Sequence, residues 1–311
     1  MRNLCFRILA FLLVCACQAC STQAQNHASD TGAETMVYFY ANRDGNTDIY
    51  QRSFSDETLI PLTQDTGYDD SPAVSPDGKQ VVFLSARDDP DPHFPDLKYE
   101  IYLLTLDGMQ LTRLTQTPYA EDHPAWSPDG KELLYDADAD GDGYYEIYRM
   151  NLESGQTERL THNAANDQFA DWSPDGKQIA FSSDRQGNWD IFIMDADGAN
   201  QRALTDAPAW ELFPAWSPDG KQIAYNGLAP RSRNTDVYLM LADGSSSRQL
   251  TDAPGFDENP AWTADGSRIC FQSNRDGNFN LYCMAPDGSS QIAITNTTYD
   301  ELWPSFPLTL P

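Results

Sequence analysis

FADWSPDGKQIAFSSDRQGNWDIFIMDADGANQRALT, residues 169–205, reads as one complete structural unit. It holds four short runs: residues 169–173 (FADWS), 177–183 (KQIAFSS), 189–195 (WDIFIMD) and 201–205 (QRALT). Alternating β-branched and aromatic residues predict strands for such runs. The breaks between them carry turn chemistry. In Ser173-Pro174-Asp175-Gly176 the proline presets φ and the glycine accepts the positive φ that closes the turn. Asp197-Gly198 does the same between the third and fourth runs.

The unit recurs outward in both directions. Ser-Pro-Asp-Gly begins at Ser75, Ser127, Ser173 and Ser217, and Thr263-Ala264-Asp265-Gly266 is a fifth, looser copy. A strand-forming aromatic follows at Phe83, Tyr135, Phe181, Tyr225 and Phe271, and Phe39 opens the series. A threonine follows Leu62, Leu114, Leu160, Leu204, Leu250 and Ile294, so six units close alike. Four strands per unit at a period of about 45 residues predict an all-β, six-bladed β-propeller over residues 35–311, antiparallel within each blade. The first unit lacks its Pro-Ala-Trp run, and Trp303-Pro304-Ser305-Phe306 supplies one at the other end of the chain. The C-terminal strand is therefore expected to complete the first blade and close the ring.

The run Pro-Ala-Trp-Ser-Pro-Asp-Gly-Lys-x-Ile-Ala-Phe, followed by Asp-Arg-x-Gly-Asn-x-Asp-Ile-Tyr, resembles the TolB-type WD40-like (PD40) repeat. Residues 170–191 match it almost throughout, and the resemblance extends over about residues 35–306. It implies six blades and a role in binding other proteins in the periplasm or at the cell surface. TolB also carries an N-terminal α/β domain, for which the repeats here leave no room.

Residues 1–20 read as a targeting segment. Arg2 and Arg7 give it a positive start, and residues 8–16 are apolar but too short for a bilayer-spanning helix. The ending around Cys17 and Cys20 resembles a bacterial lipoprotein signal, with Cys17 as the lipidated residue and Cys20 as the alternative. No Asp follows either cysteine, and the sorting pattern of such lipoproteins then implies the outer membrane. Residues 21–34, polar and small, read as a flexible tether. The expected location is the periplasm or cell surface, with a lipid anchor as the sole membrane attachment.

A formal charge of −27 argues against nucleic acid as partner and favours cationic groups. Within the repeats one carboxylate stands three residues before each Pro-Ala-Trp start: Asp69, Glu121, Asp167, Glu211, Asp257 and Glu301. Placed at the leading end of each innermost strand, six acids would surround one channel mouth and hold a cation, a lysine or an arginine. The alternative is local, each acid accepting hydrogen bonds within its own loop. His123, Phe169, Trp189, Trp210, Phe213 and Trp303 depart from the repeat in loops on the same face, beside the insertion at 88–99. Repeat-breaking loops on one face read as a binding surface for a basic protein segment or a glycan, or else as a plug for the channel.

Two further features carry chemistry. Asp138, Asp140, Asp142 and Glu146, spaced at positions 1, 3, 5 and 9 with glycines between, can converge on Ca²⁺; an acidic hairpin is the other reading. The loop resembles those of integrin-type propellers. Cys270 and Cys283 flank a hairpin centred on Asp276-Gly277 and are expected to pair as a disulfide in an exported protein. No Gly-x-Ser-x-Gly, His-Glu-x-x-His or phosphate loop is present. The four histidines (His27, His93, His123, His162) do not cluster in the sequence, whereas propeller lyases similar to oligogalacturonate lyase use a histidine cluster. The expectation is a monomeric binding scaffold that requires no cofactor, with a glycan-active enzyme as the alternative.

Overall fold

The computed structural model describes residues 35–43, 45–55, 57–89, 97–228 and 234–308. The signal with Cys17 and Cys20, the tether, and most of the 88–99 insertion including His93 lie outside the described residues.

The repeats form six four-stranded antiparallel sheets arranged as the blades of a propeller. Blade 1 combines both ends of the chain. Its innermost strand is Glu301–Ser305, followed outward by Met36–Asn42, Thr47–Ser53 and Leu59–Pro61. Tyr38 pairs with Ser305 and Ala41 with Glu301, so the C-terminal strand closes the ring as its Trp-Pro-Ser-Phe run predicts. Blades 2 to 6 start with the innermost strands Asp69–Val74, Glu121–Trp126, Asp167–Trp172, Trp210–Trp216 and Asp257–Trp262. Among the described residues the one helical turn is Asp107–Met109, and no helix is long and apolar enough to cross a membrane.

Two repeated hydrogen-bond units explain why the sequence repeats as it does. In the first turn of blade 2, Ser75 Oγ donates to Asp77 Oδ1 (2.8 Å) and accepts the Gln80 N–H (2.9 Å). Gly78 closes this turn at φ +71°, a conformation that costs most other residues energy. Ser127, Ser173, Ser217 and Thr263 repeat the arrangement. Just after the fourth strand of each blade, the threonine that follows Leu or Ile accepts a third-strand N–H through Oγ1. Thr63, Thr115, Thr161, Thr205, Thr251 and Thr295 take those of Ile49, Ile101, Ile147, Ile191, Val237 and Leu281.

The core lies between blades. Trp126, Trp172, Trp216 and Trp262 are buried there, and Trp172 packs with Ile179, Phe181, Phe192 and Met194 against Leu134 and Ile147 of the preceding blade. Deleting one such indole costs about 3–5 kcal/mol. Cys270 and Cys283 stand directly opposite each other on adjacent strands of blade 6 and are joined as a disulfide, both buried.

Candidate functional site

The six repeated carboxylates do not converge on the channel. Each is buried at the start of its innermost strand. Asp69 takes Arg87 Nη2 on both oxygens (3.0 and 2.9 Å), Asp167 takes Arg185 Nη2 (2.8 Å), and Asp257 takes Arg275 Nη2 (2.9 Å). These arginines belong to the hairpin of the same blade and lie over its aromatic pair; the guanidinium carbon of Arg185 is 4.7 Å from the Phe192 ring centre. Glu121 accepts instead from Thr115 Oγ1 (3.0 Å) and Thr117 Oγ1 (2.8 Å). Thr205 and Tyr225 lie beside Glu211 and Thr295 beside Glu301, while Glu211 Oε2 and both Glu301 oxygens are buried without a hydrogen-bond partner. Burial pushes Glu121 and Glu211 up to about 7, and raises Asp69 and Glu301 as well. For Asp69, Glu121, Asp167 and Asp257 the local reading is the one the geometry supports, and a ring in which all six acids face a cation is corrected accordingly.

The channel is lined by residues two positions further on. Every innermost strand bulges there: the ladder slips between Asp70 and Ala73 in blade 2, and at the matching place in the other blades. Ser71, His123, Phe169, Phe213, Asn259 and Trp303 occupy the bulges, all in the left-handed region at φ 48–62°. For residues other than glycine this costs about 1–2 kcal/mol each. Side chains of the preceding blade offset part of that cost by accepting the bulge N–H groups. Asp136 accepts from Phe169 (3.2 Å), Ser182 from Phe213 (3.2 Å), Asn226 from Asn259 (3.1 Å) and Gln272 from Trp303 (2.9 Å).

Four of the bulge residues meet across the axis. His123 lies 4.2 Å from Phe169 and 5.2 Å from Trp303, Phe169 lies 3.9 Å from Phe213, and Phe213 lies 5.5 Å from Trp303, measured between ring centres. The rings form a plug that separates two mouths. Trp189 is buried beneath Phe169 rather than presented to a ligand, while Trp210 is exposed at the start of the blade 5 strand.

At the strand-start mouth the acids are Asp70, Asp122 and Glu258, one residue after the buried set. They surround His123 and Tyr40. His123 Nδ1 bonds both oxygens of fully buried Asp136 (3.0 and 3.1 Å). Burial opposes a charge on this imidazole, but Asp136, and beyond it Asp122 and Asp70, outweigh it and raise its pKa. Tyr40 is raised by burial and by Asp70, Asp300 and Glu258. Sequence reasoning missed these acids because they do not repeat; the corresponding residues elsewhere are Gln168, Leu212 and Leu302. Departure from the repeat was the available signal.

The hairpin of blade 3 brings carboxylate oxygens of Asp138, Asp140 and Asp142 within 4.8 Å of one another. Gly141 and Gly143 adopt positive φ, which lets Asp138 Oδ2 accept the Gly143 N–H (3.1 Å). Glu146 does not join them directly. It is fully buried and paired with Arg159, which also bonds Asp140 (2.6 Å). Asp138 Oδ1 and Glu146 Oε2 are buried without a hydrogen-bond partner. Burial is the largest cause raising Glu146 to about 7, with the three aspartates adding to it against Arg159.

The PD40 profile, the TolB beta propeller domain, matches residues 92–227 and 205–306, more than half of the chain. The chain belongs to the TolB β-propeller domain family. TolB from Acinetobacter baumannii superimposes on this PD40 propeller with a TM-score of 0.74 at 23% identity, over 88% of this chain and 66% of that one. An oligogalacturonate lyase from Vibrio parahaemolyticus gives 0.60 at 14% identity, over 84% and 74%. At these identities the likeness is one of fold. The uncharacterized peptidase YuxL of Bacillus subtilis is 31% identical over 75 residues, which is 24% of the PD40 chain and 10% of YuxL. The chain thus matches a small part of that relative and about two thirds of the length of TolB.

Proposed function

We propose that this PD40 propeller is an exported binding scaffold of the cell envelope, without catalytic activity of its own. The observation that carries the reading is the strand-start mouth. Asp70, Asp122 and Glu258 surround an aromatic plug, and these side chains depart from the repeat that builds the fold. Acids beside aromatic rings suit a segment of a partner protein bearing lysine or arginine. The exposed Trp210 and the blade 3 hairpin border the same face and extend the surface. We infer that the aspartates of this hairpin hold Ca²⁺, supported by the convergence of Asp138, Asp140 and Asp142 and by the unpartnered Oδ1 of Asp138. The glycan-active alternative has no observation of its own: among the described residues the plug contains a single histidine, His123, committed to Asp136.

The test is capture from native cell envelope on the immobilised protein and on Asp70→Asn/Asp122→Asn/Glu258→Gln. A partner held by the first, lost by the second and released by salt supports the reading. Identical captured sets on both proteins would overturn it.

A further inference from the structure

The plug leaves a second compartment on the other side. A funnel of about 210 Å³ opens toward the Ser-Pro-Asp-Gly turns, and Asp70, Asp122 and Glu258 do not line it. Its floor is the underside of His123, Phe169, Phe213 and Trp303, and its walls are the Pro-Ala pairs of the innermost strands. The lining mixes apolar groups with the polar Asn259 and Ser305, and its one carboxylate is that of Asp171.

Asp171 is an exception to the repeat. The same position holds Ala73, Ala125, Ala215 and Ala261, and Ser305 in blade 1. Asp171 Oδ2 accepts the Trp216 N–H of the next blade (2.8 Å). Ser305 makes the equivalent bond to the Val74 N–H (3.1 Å) with a neutral side chain. The blade-to-blade bond therefore does not account for the charge. No lysine or arginine among the described residues pairs with Asp171. Burial, against the backbone N–H groups beside it, pushes it up to about 7. A half-buried carboxylate with no cationic side chain beside it costs stability that an arriving cation would offset. Aromatic faces below and one carboxylate in the wall suit a cation carried on an aliphatic stem.

We propose that this funnel binds an alkylammonium group, with the ammonium on Asp171 and its methylenes against Phe169, Phe213 and Trp303. A free amine and a lysine side chain share this chemistry. The site is separate from the strand-start mouth and does not depend on the partner proposed there.

The full chain, with its tryptophans labelled with ¹⁵N, would be titrated at pH 8 with n-butylammonium and with the blocked peptide acetyl-Gly-Lys-Gly-amide. The Trp303 indole resonance is the readout and 1-butanol the neutral control. The expected result is saturable binding of at least one cation with a Kd on the order of millimolar. Asp171→Ser, which keeps the bond that Ser305 makes in blade 1, is expected to weaken it by about tenfold or more. Asp171→Ala, the residue of four sister blades, should behave alike. Tighter binding of the peptide would identify a protein side chain as the ligand, and tighter binding of the amine a free molecule. Absence of binding by both cations, equal binding by Asp171→Ser, or equal binding of 1-butanol would overturn the proposal.

Discussion

Replacing Asp167 by alanine separates a structural acid from a binding acid. Asp167 is fully buried and receives Arg185 at 2.8 Å on both oxygens and Asn163 Nδ2 at 2.6 Å. Removing one partner of a buried pair costs 3–5 kcal/mol when the remaining charge stays buried, or about that order. The Arg185 side chain is 21% exposed and keeps its bonds to Ser183 and Gln201, so water and these partners relieve part of the loss. The expected destabilisation is about 2–4 kcal/mol. For a domain of this size that lowers Tm by roughly 3–7 °C. Asp122→Asn, at the strand-start mouth, should cost about 1 kcal/mol or less. Circular dichroism melts and urea unfolding of both variants are the assay. Adding Arg185→Gln to Asp167→Asn should recover part of the loss, since no charge is then left alone. An Asp167→Ala protein melting within about 2 °C of the parent would refute the local structural assignment of the repeated acids.

Other predictions follow from the same geometry. The His123 resonance should titrate above the ordinary histidine value of about 6.5, and Asp136→Asn should lower its midpoint. The corresponding stabilisation is complete below about 6.5 and is lost as pH rises through the folded value. Asp171 has the opposite carboxylate behaviour to a salt-bridged acid: the folded state holds its proton more tightly than the unfolded chain, so stability falls as pH rises from about 4 to about 7. Asp171→Ser should therefore gain on the parent in melts at pH 8 relative to pH 5. Calorimetric titration should show one Ca²⁺ site that Asp138→Asn/Asp140→Asn abolishes, and an unchanged heat in that variant would refute the metal reading. Peptide mapping without reductant should find Cys270 and Cys283 linked, and Cys270→Ala/Cys283→Ala should melt several degrees lower.

The fold was legible because its information is repeated. Ser-Pro-Asp-Gly, the Leu-Thr pairs and the tryptophans each perform one local task four to six times, and the strand missing from the first unit is visible in Trp303-Pro304-Ser305-Phe306. The site was less legible for the same reason. A position that holds an acid in every blade drew attention, yet that regularity reflects local structure at the start of each innermost strand. Asp70, Asp122, Glu258 and Asp171 stand at variable positions, and nothing in linear spacing reveals that a bulge turns the residue after the first pair toward the axis. His123, Phe169, Phe213 and Trp303 were identified as departures from the repeat, but their mutual contact depends on left-handed backbone that residues of this size rarely adopt. Glu146 matched the spacing of a metal ligand, and Arg159, distant in sequence, determines its actual partner.

The most direct test of the scaffold account is site-specific cross-linking. A photoactivatable group placed at Trp210, exposed at the strand-start mouth, would be compared with one at Met109, exposed on the outer side of blade 2, in native envelope. The account predicts a discrete protein adduct from position 210, absent from position 109 and competed by excess unlabelled protein. Adducts of equal yield and identity from both positions, or none from position 210, would contradict it.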